Sequence, residues 1–93
     1  MTDLDLADEE SLLAATRAGH EEAFGRLVER HREGLETFCF LMLGDAHDGT
    51  CALAETVLCA WRGRELVAPI VTARTWLYRN AMLVCLGDLD ARR

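Results

Sequence analysis

Residues 20–45 read HEEAFGRLVERHREGLETFCFLMLGD, and this stretch decides the fold. Phe24, Leu27, Val28, Leu35, Phe38 and Met42 follow one another at steps of 3, 1, 7, 3 and 4 residues, so that Leu27 and Val28 stand 3 and 4 residues after Phe24. That is the period of one face of an α-helix about six turns long. Glu21 and Glu22 suit a first turn, where carboxylates complement the helix dipole, and Gly44-Asp45 marks the stop. Gly25 and Gly34 lie inside it, each costing about 1 kcal/mol against Ala, so packing rather than propensity must hold this helix.

On the N-terminal side, Asp8 suits an N-cap with Glu9 and Glu10 in the first turn of a shorter helix. That helix carries Leu12, Leu13 and Thr16 and ends at Ala18-Gly19. On the C-terminal side, a third helix is predicted from near Asp48 or Thr50 to Trp61. Between Cys51 and Trp61 only Glu55 and Thr56 are polar. Either the other helices wrap this segment on every side, or its surplus apolar surface is a contact site. The loop Gly63 to Val71 holds the single proline, Pro69, which restricts Ala68 to extended geometry. Thr72 caps a fourth helix through about Leu86, with Gly87 as its stop and Trp76, Leu77, Leu83, Val84 and Leu86 as its apolar content. The expected fold is therefore all-α, a compact bundle of about four helices forming one domain over residues 8–93. The acidic residues 1–7 are expected to be frayed.

Composition narrows the function. The chain has 93 residues, 51% of them hydrophobic, near the lower size limit for a self-sufficient core. Its net charge is −6. Residues 1–36 hold ten acidic residues against four Arg, and residues 37–93 hold six against six. Contact with nucleic acid must therefore come from a local arginine cluster. Cys39, Cys51, Cys59 and Cys85 sit in apolar helical surroundings and read as buried free thiols of a reducing compartment. No apolar run approaches the ~20 residues that span a bilayer. Met1 opens on an acidic stretch without an export signal, so a cytoplasmic location is expected.

No phosphate loop, metalloprotease motif or nucleophile elbow is present, and enzyme activity, catalytic residues and cofactors are not expected. His47 and Cys51 share a helix face, but two ligands do not make a metal site. A redox pair of Cys51 and Cys59 would need to close about 12 Å along a helix, too far for a disulfide. His20 and His31 read as surface residues among Glu and Arg.

The segments EEAFGRLVERHREGL, LGD, ETVLCAWR and TWLYRNA, with the 15-residue interval between Trp61 and Trp76, resemble the second conserved region of extracytoplasmic-function (ECF) sigma factors of the sigma-70 family. The resemblance covers about Ser11 to Arg93. It implies a transcription-initiation module that docks on core RNA polymerase and captures the −10 promoter element as it melts. The third helix would press on the coiled-coil of the largest polymerase subunit through Leu53, Glu55, Val57, Leu58 and Trp61. The Gly63 to Val71 loop would pocket a flipped-out base, and Arg64, Arg74, Trp76, Tyr78, Arg79 and Asn80 would line the path of the single strand. Aromatic stacking on a base is worth about 1–3 kcal/mol and Arg adds phosphate contacts, which suits such a path.

The departures all run one way. The family usually has an acidic residue where Cys51 sits and Gln where Ala54 sits. A basic residue and Asn are usual near Met82 and Leu83. Basic residues are usual where this chain has Glu33, Glu36, Cys39 and Met42. The alternative they imply is a degenerate sigma-like module that binds proteins, such as polymerase, an anti-sigma protein or a second copy, with little DNA binding.

Overall fold

The computed structural model describes residues 8–92, so the expectation for residues 1–7 lies outside the described residues. Four α-helices and no strand occur among the described residues: α1 (Glu9–Arg17), α2 (Glu21–Leu43), α3 (Ala46–Arg62) and α4 (Ala73–Ala91). A short 3₁₀ turn, Arg64–Leu66, interrupts the connection between α3 and α4.

The predicted caps hold α1 in place. Asp8 Oδ1 accepts from the Ser11 amide at 2.7 Å, and that bond holds the Asp8 carboxyl below its ordinary pKa. Leu12, Leu13 and Thr16 are all buried, and Gly19 takes a positive φ at the exit. His31, expected at the surface, is instead partly buried on α2 and meets Glu9 Oε1 of α1 at 2.6 Å. A pairing 22 residues apart depends on how α1 lies on α2 and leaves no local trace.

The α2 stripe is rotated slightly from its predicted position. Leu27, Val28 and Leu35 are core as expected, together with Cys39 and Leu43, whereas Phe38 and Met42 flank the core half-buried. Gly44, at φ 71°, ends the helix. Helix α3 begins earlier than predicted because Asp45 is its N-cap, accepting from the Asp48 amide at 2.9 Å. Gly49 allows α2 and α3 to cross closely, since a Cβ there would lie 3.1 Å from the Phe40 backbone.

Gly87 does not stop α4, which continues to Ala91. Half-buried Leu89 packs on the core beyond it. Arg92 then donates to the Leu43 carbonyl at 3.0 Å and pairs with Asp48 at 2.5 Å. Those contacts outweigh the roughly 1 kcal/mol that glycine costs inside a helix.

The core joins Leu12 of α1, Leu27 and Leu35 of α2, Ala52 and Ala60 of α3, and Leu77 and Ala81 of α4. Thr56, fully buried, satisfies its hydroxyl by donating to the Ala52 carbonyl at 2.7 Å. Cys39 and Cys85 are fully buried as expected, whereas Cys51 is exposed and Cys59 half-buried. Burial, with Cys85 alongside, pushes the Cys39 thiol up to about 12. The reactive form is the thiolate, so alkylation of the native chain should modify Cys51 first and Cys59 more slowly. Cys39 and Cys85 should label only on unfolding, as peptide mass spectrometry would show.

Candidate functional site

The apolar surplus of α3 is not hidden. Ala52, Leu53, Thr56 and Ala60 point inward, while Ala54, Glu55 and Leu58 are exposed and Val57 and Trp61 are half-buried. The predicted contact face must therefore be corrected at Leu53, which is only 5% exposed and belongs to the core. Leu58, at 46%, is the most open of the remaining apolar positions of the predicted set. Ala54, Val57, Leu58 and Trp61 line a concavity of about 500 Å³ with Glu21 and Phe24 from the start of α2. Phe24 and Glu21 escape a reading of α3 alone, because the register between two helices has no sequence signature. Phe24 stacks on Trp61 with ring centroids 5.2 Å apart, which fixes the indole at the edge of the strip.

The second predicted set divides into three parts. Trp76 is the second correction: it is 6% exposed and packs on Phe24 at 5.9 Å between centroids. A bundle this small draws its largest apolar side chains into the core, and only the edge of this indole reaches a surface concavity. Gly63, Leu66, Val67, Ala68, Val71, Arg79 and Asn80 complete that concavity, of about 250 Å³. Arg79 is exposed there, while Asn80 donates to the Trp76 carbonyl one turn back at 2.9 Å.

Arg74 and Tyr78 form a separate pair, with the guanidinium carbon 5.2 Å from the ring centroid. Tyr78 is half-buried and meets Phe38 edge-on at 5.6 Å. Arg74 also borders a second concavity, of about 510 Å³, between α1 and the 69–73 segment, where Arg17 joins it. Arg64 is held by its own helix end. Its guanidinium lies 4.1 Å from the Trp61 ring centroid, and Nη1 donates to the Trp61 carbonyl at 2.9 Å.

Two features of the loop are not evident from composition. Leu66 and Ile70 are almost fully exposed, one beside each concavity. Among the described residues, no group of three or more His, Cys, Asp or Glu is arranged to hold a metal ion, and no helix is long and apolar enough to cross a membrane.

The four-helix, strand-free architecture of the described residues is consistent with the bundle that sigma-70 family proteins carry as their second conserved region. The chain belongs to the extracytoplasmic-function sigma factors of that family, as one of their domains. It is 36% identical over 85 residues, 85% of its length, to the ECF RNA polymerase sigma factor SigG of Mycobacterium tuberculosis. It is also 33% identical over 78 residues, 84% of its length, to the ECF RNA polymerase sigma factor SigM of the same organism. The chain spans 23% of the length of SigG and 40% of that of SigM. No family model matches the chain, and no solved structure does.

Proposed function

We infer that this domain acts in transcription initiation, docking on core RNA polymerase through α3 and holding melted −10 promoter DNA against the 63–71 loop and the start of α4. The observation that carries the reading is the open strip of Ala54, Val57, Leu58 and Trp61, apolar on a bundle whose core is already filled. An unpartnered apolar strip on a small acidic domain needs a protein partner. The coiled-coil of the largest polymerase subunit is the partner the family supplies.

The DNA path on this reading is short. Arg79 at the loop concavity supplies phosphate contact, and Leu66 and Val67 offer an apolar wall for an unstacked base. Arg74 and Tyr78 add a separate cationic, aromatic pair at the start of α4. Beyond Arg79 the outward face of α4 carries Met82, Leu83 and Leu86, so the path stops there.

A titration of fluorescent single-stranded −10 DNA into the chain with core polymerase tests this. Arg79→Ala should weaken DNA binding about tenfold, the loss of one charge-assisted contact, and leave polymerase binding unchanged. No DNA affinity in the presence of polymerase would remove the reading.

A further inference from the structure

The outward face of α4 beyond Arg79 has the composition of a helix-pairing seam. Met82, Leu83 and Leu86 are 42%, 59% and 48% exposed, on the side opposite the buried Leu77, Ala81 and Cys85. At 3.6 residues per turn, Arg79, Met82, Leu83, Leu86 and Asp90 fall within about 100° of arc. Arg79, Leu83, Leu86 and Asp90 follow at steps of 4, 3 and 4 residues. That spacing lets two helices run side by side with their side chains interlocked.

The stripe is also symmetric about its own centre. The midpoint between Leu83 and Leu86 is the midpoint between Arg79 and Asp90. Two α4 helices placed antiparallel about a two-fold axis through that point set Leu83 of each copy against Leu86 of the other. The same placement sets Arg79 of each copy against Asp90 of the other, closing both ends with opposite charges.

We propose that this face binds a second copy of the chain in that antiparallel register. The charges select the occupant. A uniformly charged partner, nucleic acid included, meets a like charge at one end of the stripe, whereas a reversed copy meets an opposite charge at both. One helix stripe covers less than a standard stable interface, so the dimer is weak and depends on concentration. The inference does not rest on docking or DNA capture, since it uses neither the α3 strip nor the loop. Arg79 alone is shared, so pairing and single-strand binding exclude one another.

Sedimentation equilibrium of the chain, from about 10 µM to about 1 mM, reads the association directly in the range where such small interfaces form. The average mass should rise toward that of a dimer. Leu83→Glu, at an exposed position, should stay monomeric with unchanged circular dichroism and melting temperature. Arg79→Asp should weaken the dimer about tenfold by placing like charges at both ends. Adding Asp90→Arg to Arg79→Asp should recover it, because each end again pairs opposite charges. A chain monomeric throughout, a dimer indifferent to Leu83→Glu or to Arg79→Asp, or a double swap that does not recover association would each overturn the proposal.

Discussion

Trp76→Ala should bring the domain to the edge of unfolding. The indole is 6% exposed and packs on Phe24, which in turn stacks on Trp61, so its removal opens a cavity where α2, α3 and α4 meet. Replacing a buried Trp by Ala costs about 3–5 kcal/mol, out of the roughly 5–15 kcal/mol that stabilises a typical domain. A urea titration followed by circular dichroism should show the midpoint shifted far down. Trp76→Phe, which keeps most of the ring volume, should lose much less. Any loss of DNA binding in Trp76→Ala would then follow from lost structure. A variant that melts like its parent but no longer binds single-stranded DNA would instead put the indole on the strand and contradict this placement.

Leu58→Asp should do the reverse, leaving the fold intact and removing the docking interaction. Leu58 is 46% exposed, so a carboxylate there stays in water in the free domain and stability should change by less than about 0.5 kcal/mol. Once the strip is covered, the same carboxylate is buried without a partner among Val57, Trp61 and Phe24. The affinity for core polymerase should fall about 30-fold or more, the roughly 2 kcal/mol of an interface hot spot. Leu53→Asp, by contrast, should fail by unfolding, because Leu53 faces the core. Pull-down on immobilised polymerase, with melting curves of both variants alongside, separates the two effects. Full retention of binding by Leu58→Asp would show that the docking surface lies elsewhere.

Much of the fold is legible in the chain because it follows from short-range rules. Asp8 and Thr72 act as the caps their positions suggest, and Gly19 and Gly44 end their helices with the positive φ that glycine adopts freely. The errors at helix ends have long-range causes. Gly87 is carried through by Leu89 packing and by Arg92 reaching Leu43 and Asp48, contacts that join α4 to residues more than forty positions away. The candidate site was legible in part. The surplus of apolar residues between Cys51 and Trp61 is a property of composition, and it does emerge as an open strip. Which of those residues make the strip is not, since Leu53 and Leu58 are equally apolar and differ only in direction.

What the amino-acid order determined alone is therefore the all-α class, four helices with most of their ends, and the surplus of apolar surface on α3. Period, capping and excess apolar content act within a few residues of one another, so they can be read locally. The tertiary structure decided that Trp76 is core, that Arg64 closes its own helix, that Phe24 completes the α3 strip and that Leu83 and Leu86 share an open face with Arg79 and Asp90. Each depends on the angle and register at which helices meet, which minimise exposed apolar area over the whole bundle and leave no trace in any single segment.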